Sequence, residues 1–293
     1  MVYLFITSLI WAFSFGLIGN VLKGIDPLVV AGVRLAIALL VFLPFLRLKD
    51  LEATDRLKLF GLGAVQFGIM YICYLSAFRF IPSHLVALFS VLTPLYVVLI
   101  HDFRHRRFTP RYLLAALLSV IGAAVIKAKS GDTGTFWAGF ILMQISGIAF
   151  AFGQVVYRDW KRSHAELKEH SVFALLYAGG ALTALSASFI TGSGPQELSA
   201  ASSSQLGVIV YLGIVASGLG FFLWNKGAVQ STPGVLAAFN NFLVPLAIVV
   251  SLFVFREIEG LKLMDLINLL IGSGLIATAI FIGRKAGDQD LAN

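Results

Sequence analysis

The sequence predicts an all-α membrane protein of ten transmembrane helices arranged as two inverted five-helix repeats. Three observations predict it. The 293 residues are 58% hydrophobic and only 13% charged, with a mean hydropathy of +0.90, whereas soluble chains carry about 25% charged residues. One core cannot hide that much apolar surface, so lipid is the implied solvent. Apolar stretches near spanning length recur along the whole chain, and three short segments of the first half return in order in the second.

A spanning helix needs about 20 largely apolar residues. The first such stretch, 2–22, has no Lys or Arg before Lys23. A cleaved leader would open on basic residues and end at a small-residue site, so 2–22 reads as a retained span. The second, 27–46, carries Arg34, and the third, 57–78, carries Gln66, Tyr71 and Tyr74. The fourth, 82–100, opens on Pro82 and holds His84, Ser90 and Thr93-Pro94. The fifth, 111–126, is short, but Arg111 and Lys127 flank it and their long stems can reach the interfaces. The sixth, 136–157, holds Gln144, Ser146 and Gln154, and the seventh is 170–190. The stretch 191–204, TGSGPQELSAASSS, reads as a flexible loop. The eighth span, 205–225, has Gly213, Ser217 and Gly220, small residues that let helices approach closely. The ninth, 233–254, holds Asn240-Asn241 and Pro245, and the tenth is 264–283. The other connections are mostly brief, so consecutive helices are expected to be antiparallel neighbours.

Charge sets the expected orientation. With the first residue inside, inner connections hold 15 of the 22 Lys and Arg, outer ones hold 6, and Arg34 lies within a span. That bias puts both termini in the cytoplasm. The net charge of +7 therefore reflects basic loops rather than nucleic-acid binding, for which there is no basic stripe or motif. The lone Cys73 excludes an intramolecular disulfide.

Ala12-Phe13-Ser14-Phe15-Gly16 recurs as Ala149-Phe150-Ala151-Phe152-Gly153, and Val91 to Leu95 as Phe242 to Leu246. Leu117 to Gly122 resembles Leu269 to Gly274. The offsets of 137, 151 and 152 divide the chain into repeats 1–130 and 131–293. Five helices per half is an odd number, so the second half inserts upside down. Inverted repeats are a common plan of secondary transporters, with the site near the midplane between the halves.

Enzyme chemistry has little to stand on. No G-x-x-x-x-G-K-[ST] and no H-E-x-x-H occur, and all 15 Asp and Glu fall in loops or at helix ends. No cofactor and no metal site are expected, and the coupling ion stays open. The expected partners are a small-molecule solute and the lipid bilayer. The sequence says nothing of oligomeric state. A receptor would be expected to carry a sizeable soluble segment, whereas polar residues in mid-span favour a carrier.

Arg34 is the sharpest of these, because charge at such depth is costly and is a functional hypothesis by default. It reads either as a substrate or gating group or as a clamp on helix carbonyls. His84 lies near an outer helix end and can shuttle a proton or merely hydrogen-bond there. Asn240 and Asn241 sit one turn before Pro245, which frees a backbone carbonyl. They suit a ligand's polar groups or a helix–helix bond equally. Gln66 and Tyr71 face the bundle interior by the same depth argument, and Trp11 is mid-span rather than in an interfacial belt. Trp224-Asn225-Lys226, at the inner end of the eighth span, reads as an anchor ahead of a pocket group.

Trp11-Ala12-Phe13-Ser14, FLPFLR (42–47), VLTPLY (91–96), SVIGAAVI (119–126) and IAFAFGQVVYRDWK (148–161) resemble the drug/metabolite transporter superfamily in its ten-helix EamA-type branch. The likeness covers nearly the whole chain. Within that branch QFGIMYICYLSAF (66–78), LFSVLTPLY (88–96), VASGLGFFLWNKGA (215–228) and NNFLVP (240–245) are similar to the bacterial YigM-type biotin transporters. The resemblance implies a secondary carrier of the cell inner membrane that imports biotin by alternating access. The alternative is an exporter of amino acids or related small metabolites. On the biotin reading, Arg34 or His84 meets the carboxylate. Asn240, Asn241 and Gln66 bond the urea, and Trp11 and Tyr71 cover the ring.

Overall fold

Helix boundaries follow from local chemistry. Asp26 caps the second helix by accepting the Leu28 N–H at 2.7 Å, with Pro27 in the first helical position, where its missing N–H costs nothing. The eighth helix opens on a reciprocal capping box between Ser202 and Gln205. The computed structural model describes residues 1–22, 24–81, 86, 89–127, 136–253 and 263–290. Within them the helices are α1 (Val2–Val21), α2 (Pro27–Phe42), α3 (Ala53–Ala77), α4 (Thr93–His105) and α5 (Pro110–Lys127). They continue with α6 (Phe136–Ser163), α7 (Phe173–Ile190), α8 (Ser203–Val229), α9 (Pro233–Phe253) and α10 (Leu263–Asp290). No strand occurs among the described residues.

Among the described residues six helical stretches are long and apolar enough to cross a bilayer: Pro27–Phe45, Ala53–Ala77, Trp137–Ser163, Phe173–Ile190, Ser203–Val229 and Ile267–Arg284. Three shorter apolar stretches lie in α1, α5 and α9. The protein is thus an all-helical, multi-pass membrane protein. The helices α3 and α6 run past the predicted spans, because polar turns such as Ala53–Arg56 and Arg158–Ser163 stay helical beyond the apolar run. The connection 191–204, expected to be a flexible loop, contains a 3-10 turn over Pro195–Ala200. Ser193 also donates to Asp26 at 2.9 Å. The start of the predicted fourth span, including His84, lies outside the described residues.

Two helices depart from α geometry in mid-course. A π-helical segment spans Ala64–Ile69 in α3 and another spans Leu212–Leu219 in α8. A π turn displaces backbone carbonyls from their usual partners, and side chains of neighbouring helices take them up. Trp11 Nε1 donates to the Ala216 carbonyl at 2.9 Å, and the Tyr177 hydroxyl to those of Ser217 and Gly218 at 2.9 and 2.6 Å. Ser146 Oγ donates to the Met70 carbonyl at 3.1 Å.

Packing places α2 against α7 and α8, α3 against α6 and α7, and α1 against α8 and α9. It also places α4 against α6, α5 against α10, and α9 against α4, α5 and α10. Where α3 meets α7 the backbones touch. A Cβ on Gly63 would overlap the Leu176 carbonyl, and one on Gly179 would overlap the Phe60 carbonyl.

The end carrying residues 47–56, 104–109, 158–171 and 226–232 is rich in ion pairs. Arg104 meets Asp159 at 3.1 Å, and Asp55 accepts from Trp160 Nε1 at 2.9 Å with His164 3.3 Å away. Arg158 and Arg162 donate to the Ser231 carbonyl at 3.2 Å each, tying α6 to the α8–α9 turn. At the opposite end Arg79 pairs with Asp26. Burial works to raise the Asp26 carboxyl, but the Leu28 N–H, Ser193 and Arg79 together hold it below the usual carboxylate range.

Candidate solute-binding cavity

A cavity of about 150 Å³ lies among α1, α2, α3, α4, α6, α8 and α9. Its wall runs from mid-helix toward the end opposite the ion-pair-rich one. Tyr74 is near the close of α3, Ile18 near the close of α1, and Met143 near the start of α6, while Trp11, Phe221 and Trp224 form the deep part. On the ion-pair-rich side of that floor, Gln66, Gln154, Tyr157 and Asn225 are fully buried.

The deep part is an aromatic box. Trp11 and Trp224 stack with ring centroids 5.0 Å apart, and Phe221 packs edge-on to Trp11 at 5.2 Å. Phe150 and Tyr71 complete it, at 6.0 Å from Trp11 and 5.8 Å from Phe221. Such rings offer a large apolar surface with few moving parts.

Among the described residues Arg34 is the only charged side chain in the wall. It is 2% exposed, its Nε donates to Ser217 Oγ at 3.2 Å, and its guanidinium lies 4.7 Å above the Tyr71 ring. Among the described residues no carboxylate pairs with it. A guanidinium holds five N–H donors in a fork that matches a carboxylate. Here one is committed to a hydroxyl, and among the described residues the charge has no counter-ion. Deep in a membrane protein such a charge is costly alone and is relieved by an anionic ligand.

The second polar group is a pair of amides. Asn240 lines the wall and donates to the Leu236 carbonyl at 2.8 Å. It also exchanges two long bonds with Gln154, at 3.4 and 3.5 Å. Gln154 in turn accepts from Trp224 Nε1 at 2.9 Å.

Of the residues singled out in the sequence, Trp11, Arg34, Tyr71 and Asn240 therefore share one wall. Gln66 stands behind it, in a reciprocal pair with Asn225 at 2.9 and 3.3 Å. Asn241 turns to the other side of α9 and donates to the Val91 carbonyl at 3.0 Å. His84 is outside the described residues. Trp224, read from sequence as an anchor, is 1% exposed and lines the cavity. Phe150 and Gln154 were missed as a set. Their signal is spacing: Met143, Ser146-Gly147, Phe150 and Gln154 recur at helical intervals along one face of α6.

The EamA-like transporter family model matches residues 1–128. A probable biotin transporter of Pseudomonas aeruginosa is 38% identical over 97% of this chain and 97% of its own. The biotin transporter of Escherichia coli K12 is 40% identical over 97% of this chain and 93% of its own. The chain belongs to the EamA-like transporter family. As an EamA-like protein it is a membrane transporter and not an enzyme. A solved crystal structure at 17% identity superposes with a TM-score of 0.75 over 96% of each chain, so the fold is shared beyond recognisable sequence.

Proposed function

We propose that this transporter imports biotin across the bacterial inner membrane by alternating access between two inverted five-helix halves, residues 1–130 and 131–293. The observation that carries the substrate is Arg34. A buried guanidinium with no carboxylate partner among the described residues, beside an aromatic box, calls for a solute with one carboxylate and a compact apolar body. Biotin has both, with a ring urea as well. Transport names carried by relatives of 38–40% identity point the same way.

The two-half reading draws on an exchange of contacts. Numbering five helices per half, α3 on α7 has its counterpart in α8 on α2, and α3 on α6 in α8 on α1. Likewise α4 on α6 corresponds to α9 on α1, and α4 on α5 to α9 on α10. The π segments fall in the third helix of each half. With the Lys- and Arg-rich connections and both termini cytoplasmic, the cavity faces outward. Solute then enters from outside, pairs with Arg34, and is released after the Arg158–Ser231 and Arg104–Asp159 contacts open. The cavity of about 150 Å³ is below the roughly 300 Å³ at which small-molecule pockets begin, so entry must also widen it.

The test is uptake of labelled biotin at low external concentration by cells that lack biotin synthesis and their own carrier. Saturable uptake on expression of this chain is expected. Its absence, with the protein present in the membrane, ends the import reading. Efflux of preloaded amino acids then tests export.

A further inference from the structure

Two reciprocal amide pairs occur in this bundle, and they differ in a way that bears on recognition. Gln66–Asn225 is closed, with both residues 0% exposed and bonds of 2.9 and 3.3 Å. Gln154–Asn240 is slack, at 3.4 and 3.5 Å, and Asn240 borders the cavity.

Chemistry fixes which atom of each slack amide points where. An indole N–H only donates, so the Gln154 atom 2.9 Å from Trp224 Nε1 is its oxygen. The Gln154 amide nitrogen therefore faces Asn240. Asn240 presents its own nitrogen to the Leu236 carbonyl at 2.8 Å, because a carbonyl only accepts, and so its oxygen faces Gln154. Gln154 is 0% exposed, yet its two N–H donors have between them one acceptor at 3.5 Å among the described residues. Buried donors are normally better satisfied.

The slack pair thus sets an acceptor on Asn240, at the wall, next to an underused donor on Gln154 just behind it. The edge that complements an acceptor next to a donor is an N–H beside a C=O, held cis. Open-chain trans amides cannot present it; cyclic ureas and lactams do.

From this we infer that Gln154 and Asn240 form a recognition site for a cis-amide or cyclic-urea edge, that a bound solute exchanges into their slack pair, and that Trp224 is the positioning residue that keeps Gln154 in the receptive orientation. This rests on the carrier reading above but names a different subsite from Arg34. A carboxylate alone satisfies only Arg34, so the amide subsite sets the selectivity among acids.

The experiment measures thermal stabilisation of the purified full chain in detergent by three acids, with labelled-biotin uptake run in parallel. Desthiobiotin has the carboxylate and the cyclic urea, octanoate only the carboxylate, and pyroglutamate a carboxylate and a lactam. Wild type is expected to respond to desthiobiotin at a concentration at least about a hundredfold below that needed for octanoate, since sites built to hydrogen-bond a group discriminate strongly against analogues lacking it. Asn240→Leu should bring the two acids within a few-fold of each other. Trp224→Phe, which keeps an aromatic ring but removes the N–H, should reduce the ratio at least about tenfold, because the loss falls on desthiobiotin far more than on octanoate. Should Asn240→Leu fail to fold, Trp224→Phe decides alone. Equal wild-type responses to desthiobiotin and octanoate, no response to any of the three, or undiminished discrimination in Trp224→Phe overturns the inference. Urea- or lactam-dependent stabilisation without biotin uptake would uphold the subsite and refute biotin import.

Discussion

Arg34 Nε donates to Ser217 Oγ at 3.2 Å, joining the middle of α2 to the π segment of α8. Tyr71 sits under the same guanidinium at 4.7 Å, and its hydroxyl is 3.5 Å from the same Ser217 oxygen. Three helices thus orient one charge toward the cavity, and among the described residues no carboxylate neutralises it. The π segment matters here because it offsets Ser217 from a regular α-helical ladder, and Tyr177 from α7 holds the displaced carbonyls.

The first prediction concerns that charge. Hydrogen bonds to charged groups contribute about 1.5–3 kcal/mol, and about 1.4 kcal/mol is tenfold in affinity. Arg34→Gln should therefore raise the KM for biotin uptake by roughly 10- to 100-fold, with membrane abundance near wild type. Arg34→Lys should fall between, because a point charge lacks the fork. Uptake normalised to abundance is the readout. Normal KM in Arg34→Gln would assign Arg34 to helix packing alone.

The second concerns the closed amide pair. Removing one partner from a buried pair leaves the other unsatisfied, at about 1–3 kcal/mol, whereas replacing both can be nearly neutral. Gln66→Met should lower the detergent melting temperature more than the double variant Gln66→Met with Asn225→Leu. The double variant's KM should stay within about twofold of wild type, since Gln66 stands behind the wall. The interaction energy of the double-mutant cycle is the measure. Strictly additive losses would mean the pair is not a unit.

Much of this fold was readable because lipid imposes a simple rule on composition. A run of about 20 apolar residues marks a helix almost regardless of its neighbours. The π segments were not readable, since Ala64–Ile69 and Leu212–Leu219 have the same composition as the helix around them. Four of the site residues were legible as polar or aromatic groups at depth. Which way each pointed was not. Asn240 and Asn241 are one residue apart, hence about 100° apart around a helix of 3.6 residues per turn. One had to leave the cavity, and sequence alone does not say which. Trp224 reads first as an anchor in the sequence because the predicted span ends at residue 225. In the structure α8 continues to Val229, and Lys226 lies over the Tyr3 ring at 4.9 Å.

The third prediction concerns the α3–α7 contact. Both glycines there face backbone, which cannot rotate aside as a flexible side chain can. Gly63→Ala or Gly179→Ala must push the helices apart, with overpacking of this kind costing about 1–3 kcal/mol or more. Each should give a lower yield of monodisperse protein and a lower melting temperature. Gly207→Ala, where a Cβ meets nothing within 4 Å, is the control and should be neutral. Wild-type melting of Gly179→Ala would contradict so close an approach.

The fourth concerns pH at the end opposite the ion-pair-rich one. Asp26 holds its carboxyl below the usual value of 3.8, with burial opposing and the Leu28 N–H, Ser193 and Arg79 prevailing. A lowered folded-state value means stability that is fully present above the unfolded value and lost as pH falls through the folded one. The melting temperature of wild type should thus decline on acidification below about pH 4 in part through Asp26. Asn in its place still accepts the Leu28 N–H as a cap but carries no charge for Arg79. Asp26→Asn should therefore melt slightly lower at neutral pH and show a shallower decline in acid. The gap should be small, about 1 kcal/mol or less, because Arg79 is 46% exposed and solvent screens such pairs. It should also shrink in high salt. Melting curves of both proteins from pH 3 to 7 measure it, and parallel curves that never converge in acid would show that the Asp26 charge contributes nothing.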